Sequence, residues 1–458
     1  MIERSPSPER TRAVLPSLGL SRMTLIALSC LAGSSLLGQT PAPLTAPLTL
    51  AEAMRLAVTR NERALIADAR LDAAQARVSR ARAFFFPDVN LNSTYTRRQY
   101  ATVRRIDNED VVIQSQNALN ATALVTGTIF DARAFPLYRQ ARLERDSAAF
   151  SAEDQKRLVA YEAANAFVST LGTEQVLAAS DRRRDFARAS LVDARARLDA
   201  GLVSSNDVTK AELELATAER ERSRARGSVQ QSYLELGNLL NAEVTGPLEP
   251  PQAILTVASR PLEVDQAIID EAARTRPDLV AAERSVAALR EFAKEPSRRI
   301  IPNLRYNGQY RQTNEGGLSG RDGEGSASLV LGWTPFDGGD ARAERAERLA
   351  LVRAAQFELD ASRRRVDLEV RSAVVGLQNE QASFREAVIA ADAARRNVEE
   401  TGELYRQGLA GALEVADANV RRFEADVAES RARYQLALAW LAYRDAIGTS
   451  PSSLETNE

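Results

Sequence analysis

Two acidic side chains near the C-terminus, Glu414 and Asp417, stand three positions apart, so a helix presents both carboxylates on one face. What such a pair does is electrostatic. In a helix's first turn it complements the backbone dipole, worth roughly 0.3–1 kcal/mol. Few other groups here support chemistry. Histidine is absent from all 458 residues, which removes the side chain most used as a general base near neutral pH and the commonest imidazole metal ligand. The single cysteine, Cys30, lies in the N-terminal segment, leaving neither a disulfide framework nor a Cys-based metal site in the rest of the chain. Gly316, Gly317, Gly320, Gly323 and Gly325 are dense enough for a phosphate cradle, yet they follow no strand-to-helix pattern and carry no P-loop lysine. With no convergent nucleophile, base or metal set, the chain reads as a non-enzyme without cofactors.

The elements that must position the acids follow from composition and pattern. Aromatics are only 5 % of residues while charged residues reach 27 %, the balance of long solvated helices whose seams use Ala, Leu and Val. Lys plus Arg number 60 against 62 Asp plus Glu, so no net field draws the chain to nucleic acid or to anionic lipid. A basic-flanked lead runs to Arg22, then an apolar run from Met23 to Leu37, then Gly38 to Ala42. That order reads as a signal peptide over 1–40 and hence as export. The segment Ala27-Leu28-Ser29-Cys30 loosely resembles a lipobox, making Cys30 an alternative lipidation site. No other stretch approaches the roughly 18–20 apolar residues of a membrane-spanning helix, so any spanning must use strands.

Self-similarity decides the architecture. Pro87 and Tyr95 recur as Pro302 and Tyr310 at one common offset, and Phe130-Asp131 recurs as Phe336-Asp337. Gly201-Leu202 and Asp207-Val208 recur as Gly408-Leu409 and Glu414-Val415. The chain therefore reads as two copies of one unit, 41–246 and 263–458, joined by a proline-rich linker over 247–262. In copy two, Leu304, Tyr306, Gly308 and Tyr310 alternate with polar residues, and Ala327, Leu329, Leu331 and Trp333 share a face, the period-two signature of strands. Four strands are expected, at about 88–99, 121–130, 303–313 and 326–336, with polar loops from Arg97 to Asn120 and from Gln312 to Gly325. Four strands cannot close a barrel, and an open edge cannot sit in lipid with its amides unpaired. Three chains would supply twelve strands. Phe84, Phe85, Phe86, Tyr310, Trp333 and Phe336 bracket the strands; they suit a bilayer-edge girdle, and for the three phenylalanines packing between strands and helices is an equal alternative.

Each strand pair precedes a long helical pattern, about 131–201 and 337–408, of about 70 residues or roughly 105 Å. Return helices run over about 207–241 and 414–448, and Val420, Val427, Tyr434 and Leu441 are spaced by sevens, as in coiled-coil packing. Gly201 and Gly408 stand where glycine supplies a left-handed helix cap.

This duplicated order, with the tips Arg197 to Val203 and Tyr405-Arg406-Gln407-Gly408-Leu409, resembles the TolC-like outer membrane factor family over essentially the whole chain after the signal peptide. The resemblance implies an α+β membrane protein: a homotrimer with a twelve-stranded barrel in outer membrane lipid, continuous with a periplasmic helical barrel. It implies a passive outer membrane channel of a tripartite efflux or type I secretion system, docked to a periplasmic adaptor and an inner membrane transporter. It also places Glu414 and Asp417 at the periplasmic pore mouth, where threefold symmetry would set six carboxylates around one axis. Asp207 matches a latch position, but the usual basic partner position is Ala410, so Tyr405, Arg406 and Lys210 become the latch candidates. Gly201, Leu202, Gly408 and Leu409 match the tips that meet the adaptor. The competing reading is a periplasmic coiled-coil adaptor or structural protein without a pore, which would lack alternating strand pairs.

Overall fold

The computed structural model describes residues 44–106, 109–263, 265–315 and 321–449. The signal peptide read at 1–40, with Cys30, and Gly316, Gly317 and Gly320 lie outside the described residues. Copy one runs through α1 (Leu50–Arg60), α2 (Glu62–Ala83), β1 (Asp88–Arg97), β2 (Thr102–Ile106), β3 (Glu109–Gln114), β4 (Asn117–Phe130), α3 (Ala134–Asp199) and α4 (Ser205–Leu240). After a short α5 (Gln252–Ala258), copy two runs through α6 (Gln266–Thr275), α7 (Pro277–Phe292), the single turn α8 (Glu295–Arg298), β5 (Asn303–Thr313), β6 (Gly323–Gly332), α9 (Asp340–Arg406) and α10 (Ala412–Ala446).

The described strands number six, not the four expected. β2 and β3 form a separate two-stranded sheet inside the stretch read as a polar loop. Val103 pairs with Val112 and Arg105 with Asp110 across it. Charged residues interspersed among its β-branched ones hid the alternation. The stretch over 247–262 also carries more order than its prolines suggest. Leu48 bridges Leu248 in parallel, and Ile254 of α5 is buried in the main core.

The other four strands form one antiparallel sheet in the order β1-β4-β5-β6, so the two copies join at β4–β5. Opposed residues in an antiparallel pair share a face, and the register therefore sorts every side chain. Leu91 opposes Ala123, Ala123 opposes Tyr310, and Tyr306 opposes Leu329. These residues, with Val89, Val125, Leu304 and Leu331, make one apolar face. Asn90, Thr122, Arg305, Asn307, Gln309 and Ser328 make the other mainly polar, with Leu124 and Val330 as apolar members. The apolar face is bare in the single chain, with Leu91 77 % and Leu331 70 % exposed. Strands β1 and β6 each leave an unpaired edge.

The long helices explain their own length. On α9, Val352, Leu359 and Val366 are buried at heptad spacing, and Val370 and Leu377 repeat it. On α10, Val427, Tyr434 and Leu441 of the expected seam are buried, while Val420 is half-buried. α3 (66 residues) and α9 (67 residues) span roughly 100 Å each at about 1.5 Å per residue. The main core lies partway along them, where Phe167, Val168 and Leu171 of α3 meet Leu56 of α1, Leu240 of α4 and Leu441 of α10. Among the described residues, no helix is long and apolar enough to cross a membrane.

The duplication is also visible where the helices break before each strand pair. Asn61 separates α1 from α2 and donates to the Leu239 carbonyl (3.0 Å) at the end of α4. Arg276 separates α6 from α7 and donates to the Ala446 carbonyl (2.9 Å) at the end of α10. Different side chains thus tie each copy's return helix to its own helix break. Arg276 also pairs with Asp278 (2.8 Å) and Glu369 (2.7 Å). A second buried arginine, Arg157 of α3, holds Asp154 (2.8 Å) and both the carboxylate and the carbonyl of Asp445. Positive charge at the C-terminus of α10 opposes the negative end of its dipole.

Candidate functional site at the helix tips

Both helical hairpins turn through the same cap. At the end of α3, the Gly201 N–H donates to Leu198 O (2.9 Å) and the Leu202 N–H to Arg197 O (2.9 Å). At the end of α9, the Gly408 N–H donates to Tyr405 O (3.1 Å) and the Leu409 N–H to Leu404 O (2.8 Å). This is a Schellman motif, which needs a left-handed residue at its centre, and Gly201 and Gly408 supply it at φ +68° and +76°. A Cβ at either glycine would meet open space. Backbone conformation, not crowding, therefore accounts for glycine here. Leu202 and Leu409 project beyond the caps, 74 % and 72 % exposed.

The helices that leave the turns begin alike. Asp207 accepts hydrogen bonds from the Ser204 N–H (3.2 Å) and hydroxyl (2.9 Å), and Glu414 accepts from the Gly411 N–H (2.9 Å). Each acid returns a bond to its own helix entry, as the third residue of a capping box does. The Ser204 bonds, helped by Lys210 at 3.7 Å, hold the Asp207 carboxyl below its ordinary range.

Glu414, Asp417 and Arg421 form a stripe on one face of α10, and Asp417 pairs with Arg421 (2.8 Å). That arginine lies one turn beyond the acid, a spacing readable from sequence but not singled out there. Both partners are more than half exposed, so the pair contributes little to stability; its interest is that it offsets the charge of Asp417. The two acids thus stand together, each already engaged within its own helix.

The latch candidates divide. Lys210 meets Asp207, whereas Arg406 pairs with Glu403 of its own helix (2.8 Å). Tyr405 crosses between the hairpins. The Arg197 guanidinium lies over its ring at 4.3 Å, and its hydroxyl reaches toward Asp193 at 3.5 Å. Arg197 also holds Asp193 (2.9 Å). Burial raises the Tyr405 hydroxyl and Asp193 adds to this against the pull of Arg197, so the phenol stays neutral at physiological pH. Sequence reasoning placed Arg197 only in the tip and did not single out Asp193, because their partner Tyr405 lies on the other copy.

Above these contacts the two hairpins border a partly open cleft of about 150 Å³. Ala187 and Phe186 of α3, Ala211 of α4, and Leu413, Ala416 and Phe423 of α10 line it, with Tyr405 and Asp207 at the tip end. Arg183 crosses its wall, pairing with Glu214 (2.8 Å) and Glu221 and stacking on Phe423 at 4.9 Å.

At the other end of the long helices, Phe85 packs on Phe135 (5.8 Å) and Tyr138 (6.1 Å) at the foot of α3. Of the two readings of the phenylalanine triplet, this residue takes the packing one. Phe86 is exposed beside Arg82. The Trp333 indole donates to Ile300 O (3.0 Å) and leaves its ring exposed.

The family model described as outer membrane efflux protein matches residues 54–242 and 268–449. The chain belongs to that family. Relatives include outer membrane protein TolC of Vibrio cholerae, 24 % identical over 417 residues, covering 87 % of this chain and 90 % of that protein. Protein CyaE of Bordetella pertussis is 29 % identical over 349 residues, covering 73 % and 71 %. Among solved structures, the CmeC outer membrane channel of Campylobacter jejuni superposes with a TM-score of 0.72 at 14 % identity, covering 94 % of each chain. In this outer membrane efflux protein the two-faced sheet is the outer membrane part, and the long hairpins are the periplasmic part.

Proposed function

We propose that three copies of this chain close a twelve-stranded barrel, and that the assembly is a passive duct carrying substrates out through the outer membrane. The observation that carries this reading is the sheet. One face is apolar and bare, the other is mainly polar, and two edges lack partners. A sheet of this kind is satisfied when its edges pair with other copies, its apolar face meets lipid and its polar face lines water. A periplasmic coiled-coil protein without a pore would have no use for it. The hairpins extend the tube toward a periplasmic adaptor and an inner membrane transporter, whose energy would drive transport. The chain itself would catalyse no reaction. Gly201, Leu202, Gly408 and Leu409 form the surface offered to the adaptor, and Asp207 with Lys210 and Tyr405 steadies the closed tips.

At the mouth, Glu414 and Asp417 would form a ring of six carboxylates, with Arg421 offsetting part of the charge. Single-channel recording in planar bilayers tests this. The Glu414→Gln, Asp417→Asn double variant keeps an acceptor for Gly411 yet removes the charge, and its cation preference should fall. Arg421→Ala should move selectivity the opposite way. Unchanged selectivity in both variants removes the mouth assignment, and absence of any conductance from the purified protein removes the duct.

A further inference from the structure

The geometry points to the cavity between the two hairpins as a binding site for a small aromatic carboxylate. A benzene-sized guest needs a space of about 150 Å³, and this cleft, open to solvent on one side and lined by apolar and charged residues together, has that volume. Its apolar walls come from both hairpins: Phe186, Ala187 and Ala194 of α3, Ala211 of α4, and Leu413 and Ala416 of α10. The polar rim sets the sign of the guest. The acids on the rim are already matched, Asp207 by Ser204 and Lys210, Glu214 by Arg183, and Asp426 by Arg395 (3.0 Å). Arg182 makes no ion pair among the described residues, and Arg422 reaches Asp426 only at 3.7 Å. The rim therefore has unspent guanidinium donors and no unspent carboxylate. A planar carboxylate matches a guanidinium fork, and a phenyl ring of the same molecule fits among the alanines and Phe186.

Because both hairpins line the cavity, its guest contacts α3–α4 and α10 together. Resting on the duct reading, this makes occupancy a brake on separation of the tips: bound benzoate holds the hairpins together and lowers open probability. A ligand shifts such an equilibrium only through its preference for one arrangement, and a cavity that exists only while the hairpins are together supplies that preference.

The test is ligand-observed fluorine NMR of 4-fluorobenzoate with the full-length protein in detergent, with neutral 4-fluorobenzamide as comparison. Line broadening of the benzoate that unlabelled benzoate reverses, with little for the amide, is expected. Loss of a charge-assisted bond in Arg182→Ala should weaken binding roughly ten- to hundredfold, while Arg182→Lys should recover part of it. Equal broadening by the amide, or full binding to Arg182→Ala, overturns the site. Conductance is read separately. Benzoate that binds but leaves open probability unchanged overturns the brake and leaves the site. A protein that binds benzoate without conducting at all counts against the duct, not against the cavity.

Discussion

The C-terminus of α10 offers a sharp test of how the duplicated fold is packed. Gly448 has φ +74° and caps α10 with the same bonds as the tip glycines, Thr449 N–H to Arg444 O at 3.3 Å and Gly448 N–H to Asp445 O at 2.9 Å. In copy one the matching left-handed residue is Asn241, at φ 46°. The substitution Gly448→Asn therefore copies a solution the molecule already uses, yet it should fail. A Cβ at Gly448 would lie 2.4 Å from Arg276 Cγ and 3.3 Å from its Cα, whereas at Gly408 it meets nothing. Gly408→Asn then costs only the left-handed backbone, about 1 kcal/mol or less. Gly448→Asn must also displace Arg276 from Asp278, Glu369 and the Ala446 carbonyl, and breaking a buried pair costs about 3–5 kcal/mol. Copy one avoids the conflict because the shorter Asn61 stands where copy two has Arg276. The double variant Gly448→Asn, Arg276→Asn should therefore be much better than the sum of its parts, with a coupling of about 2 kcal/mol. Hydrogen exchange of the amides at Ile447 and Thr449 in the detergent-solubilised protein reads this locally. A cost of about 3 kcal/mol speeds exchange by more than roughly a hundredfold, and about 1 kcal/mol by about fivefold. Strict additivity of the two changes, or equal effects at Gly408 and Gly448, would refute the reasoning.

Two further outcomes follow from the same structure. The chain has 2 tryptophans, Trp333 with its ring exposed at the end of the sheet and Trp440 packed against the cores and Tyr443. Brominated lipid should quench the fluorescence of a Trp440→Phe variant strongly and that of a Trp333→Phe variant little; equal quenching would sink the lipid-facing assignment. Burial on its own raises the Asp278 carboxyl, but its hydrogen bonds and charge contact with Arg276 prevail and hold it below the ordinary carboxylate range. A depressed carboxyl stabilises the fold fully above its unfolded value and loses that contribution as pH falls through the folded one. Exchange at the end of α10 should therefore accelerate below about pH 4 and much less so in Arg276→Asn; acceleration on raising the pH instead would contradict the ion pair's role.

What could be read from sequence was periodic or local. Leu304, Tyr306 and Tyr310 announce a strand because side chains alternate every second residue, and Val427, Tyr434 and Leu441 announce a seam because they recur by sevens. Gly201 and Gly408 announce caps because a left-handed residue is a one-residue requirement. The Asp417–Arg421 pair was equally local and could have been found from its spacing of one helical turn.

The sequence by itself determined the duplication, the long helices, the four strands of the main sheet and the places of the tips, since each depends on patterns within a few turns of chain. Tertiary structure alone decided the rest. The β2–β3 hairpin depended on which residues paired. The sorting of the sheet into an apolar and a polar face rested on register between strands of different copies. The carbonyls held by Asn61 and Arg276 lie 178 and 170 residues away along the chain. The Tyr405 contact with Arg197 and Asp193, and the cavity above it, exist only because one hairpin folds against the other. Contacts of that range depend on how whole helices pack, and no window of local sequence carries that information.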